Sequence, residues 1–293
     1  MRKSSSTINP GHADHDLLSG LRESILAQVG GVDQLRVRFP DLVREAIDFV
    51  LDPIHTARTR LSDLDSVEKT FIGLKIEHLV RDMLDVPKGL RDLVINGVDV
   101  DIKNTTRDTW MIPPETYQKE SPVLIIASEE DTHLCWLGLL VARKSYLTKP
   151  NRDQKCGVGV EAFQHIMWLV EAVPYPKSRW ADLEMDRFRE LRKLKGGTRR
   201  ACQFFRENLR TPIHRTVIQA LLFDQDDYMK RLRENGGARD ILRQEGIALL
   251  SGAYDSKTIE MLGLPVINRD EMIGATPRTA KEKAFMLRMD IID

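Results

Sequence analysis

Apolar residues recur at helical spacing in three stretches of the first third of the chain. Leu17, Leu18, Leu21, Ile25 and Leu26 predict a helix over residues 16–29, stopped by Gly30-Gly31. A second helix is expected over residues 41–51, because Pro40 and Pro53 bracket it and proline opens a helix more readily than it continues one. The third begins at Asp65-Ser-Val-Glu68, which has the spacing of a capping box. Ile72, Ile76, Leu79, Val80 and Met83 then form an apolar stripe that runs to Leu84, and Glu77 falls at its edge, where a carboxylate can face a cleft without entering the core. Residues 1–15 show no period and are expected to be a disordered tail. His12 and His15 belong to that tail's composition and not to a metal site.

From residue 92 the period changes from 3.6 to 2. Asp92-Leu-Val-Ile95, Asn96-Gly97 and Val98-Asp-Val-Asp-Ile-Lys103 predict two strands around a two-residue hairpin turn. Two short apolar runs, residues 123–127 and Leu134–Val141, have the character of strands buried on both faces. After about residue 173, where Pro174 and Pro176 stand close together, the pattern turns mainly helical. A domain boundary is therefore placed there: tail 1–15, first domain 16–173, second domain 178–293. The predicted fold class is an α/β core with a mixed sheet followed by a mainly α domain.

Composition removes whole classes of function. The longest apolar run, residues 135–142, is far short of the roughly 18 residues a membrane span needs, and no hydrophobic run follows Met1-Arg-Lys-Ser, so neither a span nor a secretory signal is expected. Three unclustered cysteines (Cys135, Cys156, Cys202) make no disulfide framework and no zinc site, which points to a reducing, cytoplasmic setting. The 44 basic and 44 acidic residues cancel, yet not evenly: the balance is −5 over residues 1–176, +7 over 177–243 and −2 over 244–293. A basic middle segment suits phosphates, although a solvated surface accounts for it equally.

The hairpin carries the chemistry. With Asn96-Gly97 at the centre of a type I′ turn, Ile95 pairs with Val98, Val94 with Asp99, Leu93 with Val100 and Asp92 with Asp101. Directly opposed carboxylates have Cβ atoms about 4.5–5.5 Å apart and repel unless a cation lies between them. Lys103 follows two residues on, on the same side as Asp101. Two carboxylates and a lysine, with Glu77 from the preceding helix, suit metal-dependent phosphodiester hydrolysis: the acids hold Mg²⁺, and the lysine orients or deprotonates water and offsets charge in the transition state. Asp-x-Lys alone is weak, since it recurs at Asp153-Gln-Lys155 and Asp255-Ser-Lys257. The rival reading is a solvated hairpin face. Trp110, Trp136 and Trp168 are read as core, and His78 and His214 as ordinary surface or core histidines.

Glu77, Asp92 and Asp101-Ile-Lys103 resemble the signature of the restriction-endonuclease nuclease fold. The flanking strings resemble one family within it, the NaeI-type restriction endonucleases: Glu68-Lys-Thr-Phe-Ile-Gly73, Trp110-Met-Ile-Pro-Pro-Glu115, Asn151-Arg-Asp153, Asp226-Asp-Tyr-Met-Lys-Arg231, Gly236-Gly-Ala-Arg-Asp-Ile-Leu-Arg243, Glu245-Gly-Ile247 and Leu262-Gly-Leu-Pro-Val266. They fall in order over about residues 40–277. The resemblance implies a bacterial, cytoplasmic, homodimeric, Mg²⁺-dependent enzyme that cuts double-stranded DNA within a palindrome and is activated by a second DNA copy. It assigns the catalytic positions to Glu77, Asp92, Asp101 and Lys103, with Asp92 and Asp101 as metal ligands. It also implies a second domain of winged helix-turn-helix type, similar to the catabolite activator protein.

In that second half, Thr211 and Pro212 read as a helix start, with Val217, Leu221, Tyr228 and Leu232 as its stripe up to Asn235-Gly236-Gly237. A short helix over 238–243 and a strand over 246–250 follow. The candidate DNA contacts are Asn104, Arg107, Asn151, Arg152 and Lys155 in the first half, and Arg199, Arg200, Arg215, Lys230, Arg239 and Arg243 in the second. Two alternatives stay open: a catalytically inactive DNA-binding regulator, and a mismatch-repair-type nicking endonuclease.

Overall fold

The computed structural model describes residues 7–180, 182–233 and 235–293. The chain divides into two compact units: the first is built from the residues up to Leu51 together with Arg60–Lys177, the second from Asp52–Thr59 with Ser178–Asp293.

In the first unit, helix α1 (His15–Val29) ends where Gly30 takes a left-handed conformation, φ 85°. Helix α2 (Val32–Leu51) carries Pro40 inside it. The expected start at residue 41 is thus corrected. An interior proline costs about 3 kcal/mol, but Leu35, Phe39, Val43, Ala46 and Ile47 are all buried along one continuous face, and that burial outweighs the lost hydrogen bond. The short helix α3 (Pro53–Thr56) follows and belongs to the second unit. Helix α4 (Ser66–Leu84) opens on the expected capping box: Asp65 accepts from the Val67 and Glu68 amides, and Glu68 accepts from the Asp65 amide.

Strands β1 (Leu93–Ile95) and β2 (Val98–Thr105) form the predicted hairpin, with Asn96 at φ 49° and Gly97 at φ 73°. Both turn residues are left-handed, as a type I′ turn requires. Strand β3 (Met111–Ile112) and helix α5 (Pro114–Tyr117) precede β4 (Pro122–Glu129) and β5 (Leu134–Val141); β6 (Leu147–Pro150), β7 (Cys156–Val158) and β8 (Met167–Pro174) complete the unit. The main sheet has the order β1-β2-β4-β5-β8, antiparallel throughout except that β2 and β4 are parallel. The small sheet has the order β3-β7-β6.

Each face of the main sheet has its own core. Ile102, Leu124, Ile126, Leu137 and Leu139 pack with the apolar stripes of α1, α2 and α4. Val123, Ile125, Ala127, Trp136 and Leu140 pack with Trp110, Ile112, Phe163 and Ile166. Trp110 is fully buried and donates its indole N–H to the Ile126 carbonyl at 2.6 Å. Gly138 in β5 has no room for a side chain, because a Cβ there would lie 2.7 Å from Ile166 and 2.8 Å from Trp168.

The tail expected over residues 1–15 needs correction in its described part. Ile8 is buried and donates its amide to the Ile166 carbonyl, Asp14 is buried against the Arg143 guanidinium, and His12 hydrogen-bonds the Tyr146 hydroxyl at 2.9 Å. Isolated polar residues with scattered apolar ones have no period to reveal this. Residues 1–6 lie outside the described residues.

The second unit runs α6 (Met185–Arg192), α7 (Gly197–Glu207), β9 (Ile213–His214), α8 (Arg215–Leu221), a 3₁₀ turn at Tyr228–Arg231, α9 (Ala238–Gln244), β10 (Ala248–Ser251), α10 (Ser256–Met261), β11 (Glu271–Ala275) and α11 (Ala280–Arg288). Its antiparallel sheet has the order β10-β11-β9. The long helix expected from Thr211 to residue 234 is broken into β9, α8 and the 3₁₀ turn. Ile213 and His214 pair with Met272 and Glu271, and the His214 ring then caps α8 by accepting from the Thr216 amide. The α3 segment contributes Ile54 and Ala57 to this unit's core, around Phe188, Phe204, Phe205 and Leu221.

Candidate active site

The hairpin register is the expected one: Leu93↔Val100, Val94↔Asp99 and Ile95↔Val98. One step beyond it, β1 has ended and the side chain of Asp92 takes over from the backbone, its Oδ2 accepting the Ile102 amide at 2.6 Å. Asp101 lies beside Val123 of the neighbouring strand, on the Trp110 side of the sheet, and is only 4 % exposed. Its Oδ1 accepts from Lys103 Nζ at 2.6 Å, and its Oδ2 from the Thr116 hydroxyl of α5 at 2.7 Å. Lys103 Nζ also donates to the Ile102 carbonyl at 2.8 Å. One ammonium therefore spans a carboxylate oxygen and a backbone oxygen two atoms of cation-binding character. Asp99 braces the loop ahead of Asp92 by accepting the Arg91 amide.

Charge crowding shapes the titration of this cluster. Burial raises the Asp92 carboxyl above the usual range, and a hydrogen bond shared with Asp101 raises it further. Burial acts in the same direction on Asp101, but hydrogen bonds from Asp92, Lys103 and Thr116 outweigh it and hold Asp101 low. The two carboxyls are thereby driven apart, Asp92 upward and Asp101 downward. Glu77, on α4, is pushed up to about 7 by burial first and by the Asp92 charge second. All four predicted catalytic residues are brought within electrostatic reach of one another.

A groove of about 670 Å³ opens along these residues, lined by Lys69, Thr70, Glu77, Lys103, Asn104, Arg107 and Lys155 among others. Asn104, Arg107 and Lys155 of the expected DNA contacts therefore face it. Asn151 does not line it; its Oδ1 accepts the Asp153 and Lys155 amides and shapes the β6–β7 turn, on which Arg152 is exposed. Among the described residues, no group of three or more His, Cys, Asp or Glu side chains is gathered to hold a metal on its own. Two carboxylates and a carbonyl oxygen make a hard oxygen donor set of the kind that suits a divalent cation. Thr116 was not singled out from sequence, although Pro113-Pro114 is a helix-start signal that places it.

The second unit has its own groove of about 640 Å³, lined by Arg215, Arg233, Arg239 and Arg269 with Tyr254 and Asn235. Arg215 and Arg239 were expected contacts; Arg233, Arg269 and Tyr254 were not named. Arg215 stands 3.4 Å from Asp270 and Arg239 3.6 Å from Asp255. Arg199 and Lys230 are exposed on α7 and the 3₁₀ turn. Two expectations are corrected. Arg200 is 1 % exposed, donates to Asp224 at 2.5 Å and has no surface to offer a phosphate. Arg243 is bound to Asp290 and, at 2.6 Å, to Asp293, so it fastens α9 to the carboxy-terminal residues.

A mixed sheet with Asp101 and Lys103 on β2, Asp92 just ahead of β1 and Glu77 on α4 at the groove's edge is compatible with a nuclease core of the restriction-endonuclease class. Residues 26–284 match the family described as Restriction endonuclease NaeI. The chain is also similar to the Type II restriction enzyme NaeI of Lentzea aerocolonigenes, 29% identical over 277 residues that cover 89% of this chain and 84% of the other. It belongs to the NaeI restriction endonuclease family and is, as such, a site-specific deoxyribonuclease. Among the described residues no helix is long and apolar enough to cross a membrane.

Proposed function

We propose that the chain, as a homodimer in the bacterial cytoplasm, hydrolyses both strands of a palindromic duplex with Glu77, Asp92, Asp101 and Lys103 and with Mg²⁺, and that a second DNA copy on its second unit raises that activity. The observation that carries the catalytic half is the Lys103 ammonium seated on Asp101 Oδ1 and the Ile102 carbonyl, beside the Asp92 carboxyl that accepts the Ile102 amide. Oxygens that already hold one cation, next to an acid awaiting one, fit a hard divalent ion.

Asp92, Asp101 and the Ile102 carbonyl would hold Mg²⁺, which when bound supplies Lewis-acid stabilisation of the phosphate and a more acidic water. Asp101 stays ionised at neutral pH because Lys103 and Thr116 both donate to it. Lys103, freed to turn toward the groove, orients the attacking water and offsets the charge that grows on the phosphate oxygens. Glu77, near 7, takes up a proton at its carboxylate within the working range. Asn104, Arg107 and Lys155 position the backbone of the duplex.

A DNA-reading role for the second unit is supported by its order of elements: α7, β9, α8, α9, β10, α10 and β11, with β9 and β10 flanking β11, is compatible with a winged helix-turn-helix that carries an extra helix between its last two strands. Its groove carries four arginines that are exposed or partly so, and the bound phosphates there would release counterions. Coupling between two DNA sites is typically about 1–3 kcal/mol. The test is cleavage of a plasmid with one recognition site in Mg²⁺ or EDTA, with and without a cleavage-resistant oligonucleotide carrying the site. Acceleration by the oligonucleotide and silence in EDTA are expected; Mg²⁺-independent cutting sinks the catalytic reading, and absence of stimulation sinks the effector reading.

A further inference from the structure

Helix α5 is a single turn, Pro114–Tyr117, yet it is fastened to three distant parts of the first unit. The Arg91 guanidinium, from the loop just ahead of Asp92, donates to the Glu115 carbonyl. The Tyr117 hydroxyl donates to the Gln154 carbonyl at 3.2 Å, in the turn that also carries Lys155. Between them the Thr116 hydroxyl donates to Asp101 Oδ2 at 2.7 Å. Pro113 and Pro114 restrict the backbone on entry, the Thr116 amide closes the turn on the Pro113 carbonyl at 3.0 Å, and the Ser121 amide holds the Thr116 carbonyl at 3.1 Å. So short a helix has little stability of its own, and these contacts fix its place.

Thr116 is fully buried. A threonine hydroxyl in a helix can bond a carbonyl of the preceding turn, but this one reaches fifteen residues back in the chain to a carboxylate. Its β-branched side chain is stiff at χ1, so on an anchored backbone the hydroxyl points one way.

We propose that Thr116 is a positioning residue for the Asp101 carboxylate as a ligand of the divalent cation. The inference rests on the metal-dependent reading above and names the side chain that orients one of its ligands. A carboxylate turns easily about its last bond. Asp101 Oδ1 holds the Lys103 ammonium and Oδ2 holds Thr116. When a cation takes Oδ1 from Lys103, one of those two holds is lost, and Thr116 keeps the carboxylate from turning. The second ligand is held differently, since Asp92 Oδ2 accepts the Ile102 main-chain amide. The hold on Asp101 comes from a side chain and can be removed by substitution. Hydrogen bonds to ligating carboxylates are typically worth roughly ten- to a hundred-fold in metal affinity or activity.

The test compares full-length wild type with Thr116→Val, which keeps the shape and loses the hydroxyl, and Thr116→Ser, which keeps the hydroxyl. Mn²⁺ is titrated onto each protein bound to a cleavage-resistant duplex carrying the site, with free ion read by electron paramagnetic resonance and Asp101→Asn marking the background. Thr116→Val should raise the Mn²⁺ Kd roughly ten-fold or more. The Mg²⁺ concentration for half-maximal plasmid cleavage should rise with it, duplex affinity in EDTA should stay that of the wild type, and Thr116→Ser should restore most of the loss. A merely structural hydroxyl would instead lower the melting temperature in EDTA and leave the Mn²⁺ affinity of the folded protein unchanged. Should Thr116→Val fail to fold, Thr116→Ala against Thr116→Ser makes the same comparison. A Mn²⁺ Kd that survives loss of the hydroxyl, or a serine variant as impaired as the valine one, overturns the inference. A wild type that binds Mn²⁺ and cuts no DNA sinks the nuclease reading, while the Mn²⁺ titration still decides Thr116; a wild type that binds no Mn²⁺ overturns both.

Discussion

The two grooves are nearly equal in size, about 670 and 640 Å³, and both are lined with cations, yet their charges are built differently. In the first unit the charges are largely buried and conflicted: Asp92 is pushed up, Asp101 is held low, and Glu77 is held near 7. In the second, arginines sit on the surface with loose acidic neighbours at 3.4 and 3.6 Å. Buried like charges destabilise a fold and persist where a bound cation or a transition state repays them. Exposed arginines cost little and can be released to a phosphate without rearrangement. The contrast is the one that the proposed division of labour requires, chemistry in the first groove and DNA binding in the second.

The largest effect expected is on Lys103. Lys103→Ala should lower single-turnover cleavage by roughly a hundred- to a thousand-fold while the Kd for cognate duplex changes little, since the ammonium acts on charge that develops in the transition state. Equal loss of rate and affinity would make the first groove a binding surface like the second.

Asp101 separates the two grooves by stability as well. Asp101→Ala leaves the Thr116 hydroxyl and Lys103 without their partner in a buried setting, so it should cost about 1–3 kcal/mol in urea unfolding as well as abolish cleavage. An unchanged midpoint would mean that repulsion from Asp92 dominates the site. Hairpin spacing alone suggests such relief; the buried hydrogen bonds point the other way.

For the second groove, Arg239→Ala should weaken effector DNA binding by about 1–2 kcal/mol and lower the salt slope by about one. Arg243→Ala should leave binding and salt slope unchanged and loosen only the Asp290 and Asp293 attachment. If the two substitutions weaken binding alike, the groove boundary drawn here is wrong.

The smallest effect concerns Glu77. Its folded carboxyl titrates at about 7, against about 4.5 in the unfolded chain, so the folded state holds the proton more tightly between those values. Stability should therefore fall as pH rises from about 4.5 to 7 and level off above, a change on the order of 1 kcal/mol after solvent screening. Glu77→Gln, measured in EDTA at pH 5 and 7.5, should remove that slope.

Much of the first unit follows from local pattern. The Asp65/Glu68 capping box, the Asn96-Gly97 turn and the buried strands β4 and β5 are encoded by neighbours in the chain, and local rules of sterics and hydrogen bonding suffice for them. The hairpin register carried Asp92, Asp101 and Lys103 with it, and the edge position on α4 singled out Glu77.

Whatever depends on partners distant in sequence escaped that reasoning. Pro40 stays inside α2 because of a core assembled from many segments, and residues 8–14 are ordered because Ile166, Arg143 and Tyr146 meet them. The helix predicted from Thr211 gave way to β9 because β11, nearly sixty residues on, offers it backbone partners. Arg200 and Arg243 look like any other basic residue in the chain, and only folding places Asp224 against one and Asp290 with Asp293 against the other. The sequence by itself determined the hairpin, its turn and the acids and lysine it presents, because those rest on contacts between near neighbours. Tertiary structure alone decided which arginines line the second groove and which oxygens Lys103 holds, because charge pairing and burial are properties of the assembled chain.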